Sequence, residues 1–311
     1  MRVVRSIEGL KLDRDVVLTI GTFDGVHRGH QHLLREIVER ARRTCRLSAA
    51  LSFHPHPRVV LRPVSQPTYL STPAERAAIL ASLGLDLLIV LPFSRGLAET
   101  PAREFVAGLH RSLRMRELWV GDDFAMGRRR EGDIAALGRV SREIGYVLHV
   151  VEPLCDGDGP ISSTRIRQLL LEGRVRQAAR LLGRNYAVVG QVIGGVRRGR
   201  RLGFRTANLK LPAERVLPAN GVYAVWVTVD HVRLPGVANV GVRPSFDEED
   251  RLLEVHLLDY ESELYGQSIQ TGFVRRLRAE RRFEDTAELS SQIERDIGRA
   301  RCYLGLGGLA Q

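Results

Sequence analysis

The sequence predicts an α/β chain in two parts: an N-terminal doubly wound parallel sheet, then a smaller antiparallel β-barrel ending in a helix. Three observations predict it. From residue 16 to 151, short apolar runs alternate with segments of helical periodicity, the order that builds parallel β-α-β units. After Arg184 apolar residues recur at every second position, with Gly and Pro turns between runs, as in the antiparallel strands of a small closed barrel. The length, 311 residues, suits about two domains. The boundary is expected near residue 184, giving domains 1–184 and 185–311.

Buried parallel strands are expected at Val16–Ile20, Leu47–Phe53, Leu87–Leu91, Glu117–Val120 and Tyr146–Val151, because strands covered on both faces read as continuous apolar runs. The first helix, near His30–Arg43, puts Leu33, Leu34, Ile37, Val38 and Ala41 on one face. The next opens on the capping box Thr72-Pro73-Ala74-Glu75, with proline in the first turn. Two more helices are expected at about 101–114 and 132–144. A pair of short helices follows within 161–183, broken at Gly173 and stopped at Gly183. Barrel strands are clearest in GVYAVWVTVD (221–230) and LLEVHLLD (252–259). The last helix, Thr286 to about Tyr303, carries Leu289, Ile293, Ile297 and Ala300 along one face.

Composition excludes several classes. Hydrophobic residues make up 44% of the chain, enough for real cores. The longest apolar run, Leu83–Phe93, is interrupted by Gly84, Asp86 and Pro92 and falls far short of the roughly 18–20 residues of a membrane span. The N-terminal MRVVRSIEGLKLDRD lacks the apolar stretch of a secretory signal. Cys45, Cys155 and Cys302 form no CxxC pair, so neither a disulfide framework nor a zinc site is expected, and a cytoplasmic location is. The net charge of +11 invites a nucleic-acid partner. Yet only Lys11 and Lys210 of the 47 basic residues are lysines, the arginines are spread through helices, and aromatic residues are only 6% and unclustered. Stacking platforms for bases are therefore not expected, and the favoured partner is a small anionic substrate, for which arginine forks are suited.

The first candidate site is GTFDGVHRGH, residues 21–30, immediately after the first strand and opening the first helix. In an open α/β sheet, ligands bind beyond the carboxyl ends of the strands, where helix N-termini offer free amide donors. Gly21, Gly25 and Gly29 let backbone approach an anion closely. Phe23 and Asp24 belong to the same phosphate-gripping turn, and His27 and His30, three apart, can both donate to phosphate oxygens. In ISSTRIR, Ser162, Ser163 and Thr164 supply hydroxyls and a cap, and Arg165 and Arg167 fall in the first helical turn. Cations there oppose the helix dipole at about 0.3–1 kcal/mol each, a sign that bound polyphosphate reverses.

A second candidate site lies in GQVIGGVRRGRRLGFRTANLKL, residues 190–211. Gly195, Gly199, Arg200 and Gly203 suit an anion-binding loop. Thr206 and Asn208 present hard oxygens two residues apart, as Mg²⁺ carried with ATP requires. In LLEVHLLD, Leu253, Val255 and Leu257 share one face and Glu254 and His256 the other. A carboxylate projecting from a strand can serve as general base toward a hydroxyl.

HxGH after the first strand, with ISSTRIR before a helix pair, resembles the nucleotidyltransferase superfamily and its Rossmann-like fold. The fuller pattern is similar to the bacterial bifunctional riboflavin kinase/FMN adenylyltransferases, or FAD synthetases. The matching segments are GTFDGVHRGH, SFHPHP (52–57), VGDDFAMGRRREGD (120–133), ISSTRIRQLLLEGRVRQAARLLGRNYAVVG (161–190), NGVYAV (220–225) and ANVGVRPSF (238–246). The resemblance implies that the barrel phosphorylates riboflavin with ATP to FMN. The N-terminal domain would then adenylylate FMN to FAD with release of pyrophosphate. It implies that His27 and His30 meet the developing phosphate charge while Ser163, Thr164, Arg165 and Arg167 hold the leaving group. It also implies that Phe53, His54, Pro55, Asp122, Asp123 and Phe124 line the nucleotide and flavin pocket, and that Glu254 activates the ribityl hydroxyl. Two departures stand out. Met126 replaces a more usual aromatic residue, with little expected effect. Arg205 replaces the proline of the family's Pro-Thr-Ala-Asn, leaving as an alternative an adenylyltransferase whose kinase barrel is attenuated or inactive.

Overall fold

The computed structural model describes residues 1–61, 69–194, 204–244 and 249–306, with backbone alone at 242–244 and 249–251. The chain forms two compact units, Met1–Ser163 and Thr164–Gln311.

The first unit runs β1 (Arg2–Val4), β2 (Val16–Ile20), α1 (Arg28–Arg43), β3 (Leu47–His54), α2 (Pro57–Leu61), α3 (Pro73–Ser82) and β4 (Leu87–Pro92). It continues through α4 (Arg95–Ala98), α5 (Ala102–Leu113), β5 (Met115–Gly121), α6 (Ile134–Ile144), β6 (Val147–Val151) and the ribbon β7 (Cys155–Asp156) and β8 (Gly159–Pro160). All five predicted strands are present and pair in parallel, but β6, expected to be buried, lies at the sheet edge with Val147 and Val150 exposed. The three-residue β1 adds an edge to β4; it is too short to show a period.

Alternate strand residues feed opposite layers, as a pleated strand demands. Val16, Leu18 and Ile20 of β2, with Leu87, Ile89 and Leu91 of β4, pack with Val106, Leu109 and Leu113 of α5 and Leu137 of α6. Val17 turns to Ile37 and Ala41 of α1, and Ala50 and Leu88 to Leu34 of α1 and Leu80 of α3. Helices thus cover both faces of the sheet. Its strand order is β1-β4-β3-β2-β5-β6, so the winding reverses between β2 and β5. That reversal opens a crevice at the carboxyl ends of those strands, where open α/β sheets bind ligands.

The second unit begins within α7 (Ser163–Leu171), followed by α8 (Val175–Leu182). Gly173 stands between them with φ 73° and Gly183 caps α8 in left-handed conformation. The strands are β9 (Tyr186–Ile193), β10 (Ala207–Lys210), β11 (Gly221–Val229), β12 (Val232–Pro244), β13 (Glu249–Leu257) and β14 (Ser268–Arg278). They close into a barrel ordered β10-β13-β12-β11-β14-β9, every pair antiparallel. Leu253, Val255, Tyr223, Val225 and Phe273 are fully buried.

The final helix, α9 (Thr286–Tyr303), corrects one expectation. Its most deeply buried row is Gln292, Asp296 and Ala300, while Leu289, Ile293 and Ile297 are half-buried beside it. Arg278 Nε donates to Asp296 Oδ2 at 2.8 Å and Gln292 Nε2 donates to Oδ1 at 2.9 Å. An acid so partnered can be buried where an isolated one cannot, and apolar periodicity does not register it.

Candidate active sites

The turn leaving β2 reaches α1 through strained backbone, with φ of 47° at Phe23, 77° at Gly25 and 40° at Val26. Such conformations persist only where the surroundings over-determine them. Phe23, Asp24, Val26 and His27 are all buried. His27 is the N-cap of α1, and its Nδ1 accepts from the His30 amide at 3.3 Å. Its neutral ring therefore carries the proton on Nε2. The two imidazoles stack at 3.7 Å with planes 19° apart, and Phe23 meets His30 edge-on at 5.3 Å. A Cβ at Gly21 would come within 3.0 Å of the Phe23 ring, and one at Gly29 within 3.2 Å of His27. A side chain at either position would press on a ring of the site and require it to shift by a few tenths of an ångström.

His30 Nδ1 is buried with no hydrogen-bond partner among the described residues. Burial, then the adjacent His27 and the Arg76 guanidinium, holds the His30 pKa well below the ordinary histidine value. The ring is therefore neutral at pH 7.

Asp24 lies behind the turn, fully buried. Its carboxylate accepts from the Leu70 and Ser71 amides at 3.0 Å and from Ser71 Oγ at 3.1 Å. Ser71 Oγ accepts from the Gly25 amide at 2.8 Å, and Ser163 Oγ donates to the Asp24 carbonyl at 2.9 Å. Ser71 and Arg76 are residues the sequence reading missed. The one available signal was Arg76 standing a helical turn before the buried Leu80 on the apolar face of α3.

The other predicted pocket residues emerge from the carboxyl ends of the strands flanking β2. Phe53 is half-buried against the core, 5.4 Å from Phe93 and 6.4 Å from Phe105. His54 and Pro55 are exposed at the end of β3 and joined by a cis peptide. After β5, Asp122 and Asp123 are exposed, while Phe124 and Met126 lean on the core. Met126 and Gly132 form an antiparallel bridge, and Glu131 accepts from the Ala102 amide at 3.1 Å, tying this loop to the start of α5. Thr164, Arg165 and Arg167 belong to α7 in the second unit, Thr164 exposed and the arginines half-buried.

In the barrel, Asn208 pairs in register with Glu254, and Glu254 with Asn239 on its other side. Directly opposed residues project from the same face of a sheet, so the two amides flank the carboxylate. Asn208 is buried and Glu254 half-buried. Asn239 was not singled out from sequence, where only the segment around it drew notice. Thr206 is exposed one step before β10 and borders a cavity shared with Arg205, Tyr260, Glu263 and Tyr265. Arg205 Nη1 donates to the Glu261 carbonyl at 2.8 Å, and His256 Nδ1 lies 2.8 Å from the Arg205 carbonyl. Gly195, Gly199, Arg200 and Gly203 lie outside the described residues. Among those described, no group of three His, Cys, Asp or Glu side chains could hold a metal ion, and no helix is long and apolar enough to cross a membrane.

An α/β unit with a histidine pair at its switch point, joined to a closed barrel with a carboxylate between amides, defines a two-domain transferase. The FAD synthetase family matches residues 10–165 and the riboflavin kinase family residues 182–304. The bifunctional riboflavin kinase/FMN adenylyltransferase of Escherichia coli K12 is 39% identical over 310 residues, spanning 98% of this chain and 99% of that protein. Its Pseudomonas fluorescens counterpart is 38% identical over 305 residues, 97% of each. A crystal structure described as a macrolide-efflux protein from Streptococcus pneumoniae superposes with a TM-score of 0.89 at 31% identity, covering 96% of this chain and 98% of that one. The chain belongs to the bifunctional riboflavin kinase/FMN adenylyltransferase family. The match to the riboflavin kinase family across the barrel does not favour the alternative of an inactive kinase half.

Proposed function

We propose that the barrel transfers the γ-phosphoryl group of ATP to riboflavin and that the N-terminal sheet then transfers adenylate from a second ATP to the FMN formed. The observation that carries this is the stacked His27–His30 pair, with His30 held neutral by burial and its Nδ1 buried without a hydrogen-bond partner among the described residues, at the crevice where the winding reverses. FMN already bears an ionised phosphate, so adenylylation asks for little proton transfer. It asks for alignment and for donors at the charge that develops, which two imidazoles and the glycine-lined turn supply. Asp24, from its contacts, supports the turn instead of touching phosphate. Ser163, Thr164, Arg165 and Arg167 are assigned to the pyrophosphate, and Phe53, His54, Pro55, Asp122, Asp123 and Phe124 to the nucleotide and flavin.

Phosphorylation needs a base for the ribityl hydroxyl, and Glu254 is assigned that role. Thr206 and Asn208 fit Mg²⁺, which binds through one or two protein oxygens together with substrate phosphates and water; bound there, it would neutralise charge on the ATP phosphates. The glycine-arginine loop, with Gly195, Gly199, Arg200 and Gly203, is assigned to ATP. The two activities are assigned to residues on either side of position 184. We place the enzyme in the cytoplasm, with small molecules and not nucleic acid as its partners. Incubation with riboflavin, ATP and Mg²⁺ followed by separation of flavins tests the reading. His30→Ala should stop at FMN, whereas Glu254→Ala should leave riboflavin untouched yet convert supplied FMN to FAD. Loss of both activities in both variants would refute two separate sites.

A further inference from the structure

Arg76 is a charged side chain that neither proposed reaction uses, and it is 4% exposed. It sits in the first turn of α3, and its guanidinium touches three segments. Nη1 donates to Ser52 Oγ at 3.2 Å, Nη2 to the Ser71 carbonyl at 3.5 Å, and Nη2 lies 3.9 Å from Asp24 Oδ1. Ser52 Oγ in turn donates to the Thr22 carbonyl at 3.2 Å. Thr22, Asp24 and Gly25 all belong to the turn that carries His27 and His30. Nε is buried with no hydrogen-bond partner among the described residues.

A buried counter-ion retained only for stability would pair tightly and satisfy its donors. Arg76 does neither. Asp24 is already served by two amides and a hydroxyl, the ion pair is loose, and one buried N–H has no partner among the described residues, which carries a desolvation cost. A methionine of similar shape would avoid that cost. What only a fixed cation can do here is act on its neighbours through a low-dielectric interior.

We propose that Arg76 is a positioning residue for adenylyl transfer: its buried guanidinium braces the His27–His30 turn from behind and fixes the charge environment of the two imidazoles. The proposal rests on the assignment of FMN adenylylation to this turn. Among the described residues, the groups whose charge bears on His30 are His27 on the same turn and Arg76 from α3, with Asp24 beyond Arg76. Removing the Arg76 charge lets the His30 ring protonate at higher pH, and loosening the turn displaces both rings from the substrate.

The test uses the full chain with Arg76→Met and Arg76→Lys. Three quantities are read: kcat/KM for FMN adenylylation, riboflavin phosphorylation, and the His30 titration by NMR, assigned with His30→Asn. Arg76→Met should lower adenylylation on the order of ten- to a hundredfold, leave phosphorylation unchanged, and move the His30 midpoint upward. Arg76→Lys should return the midpoint toward wild type and recover part of the rate. Wild-type adenylylation and an unmoved midpoint in Arg76→Met would overturn the proposal. So would a Lys variant that loses adenylylation with the midpoint in place, which is the mark of a prop without electrostatic work. If the wild-type chain forms no FAD, the functional assignment fails instead.

Discussion

Asn208 of β10 and Glu254 of β13 face each other across the barrel ladder, and Asn239 of β12 flanks the same glutamate. A carboxylate between two amides has its orientation set before substrate arrives, and an amide oxygen beside it can share the metal that accompanies ATP. Asn208→Ala is therefore expected to lower riboflavin phosphorylation about 10–100-fold and to raise the Mg²⁺ concentration needed for half-maximal rate. Adenylylation of supplied FMN should be unchanged; a Mg²⁺ titration of both activities decides it.

The loop after β5 packs so closely on Ala102 that glycine is required at two positions, Gly127 and Gly132. A Cβ on Gly132 would stand 2.4 Å from the Cβ of Ala102, whereas one on Gly138, in α6, meets nothing within 4 Å. Gly132→Ala should destabilise the N-terminal unit by about 1–3 kcal/mol through overpacking and reduce FAD formation. Gly138→Ala should stabilise it by about 0.5–1 kcal/mol through helix propensity. Urea unfolding of the two variants should show opposite signs.

Glu117 gives the first unit an acid-sensitive element. It is buried and contacts Arg40, Arg46, Trp119 and His149. Burial raises its pKa, but hydrogen bonds from Trp119 and Arg40 and the charges of Arg40 and His149 outweigh that, so the net value lies below the ordinary one. A depressed folded-state pKa stabilises fully above the unfolded value, and the contribution disappears as pH falls through the folded one. Glu117→Gln should cost about 1–3 kcal/mol at pH 7, at the modest end because both arginines are partly solvated. The gap from wild type should narrow as the pH is lowered below 4, measured by denaturant unfolding at each pH.

Arg205 stands where the family resemblance implies a proline, and its side chain donates to the Glu261 carbonyl. Arg205→Pro exchanges that exposed tether for a stiffer backbone, an effect of about 0.4–1 kcal/mol on the unfolded side. Riboflavin phosphorylation should persist in both forms, with the KM for ATP as the parameter that changes. A wild-type chain unable to phosphorylate riboflavin would contradict this.

Much of this architecture is legible in the sequence, and the reason is locality. Strand β2 and the turn after it occupy neighbouring positions, so an apolar run followed by GTFDGVHRGH betrays both. The capping box is likewise local: Thr72 Oγ1 accepts from the Glu75 amide at 3.2 Å, and the Thr72 amide donates to Glu75 at 2.8 Å. The alternation of Leu253, Val255 and Leu257 predicted the inside of the barrel for the same reason. What stayed hidden depends on contacts between distant positions. Gly25 meets Ser71 across 46 residues and Ser52 meets Arg76 across 24. Asp296 of α9 is buried with Arg278, which arrives from strand β14. No window of the sequence holds both members of such a pair.

The barrel's closure has a colloidal corollary. Because β9 bonds to β10 on one side and β14 on the other, every strand of the ring has a neighbour on both sides among the described residues. Closure of this kind disfavours sheet-to-sheet polymerisation through this half.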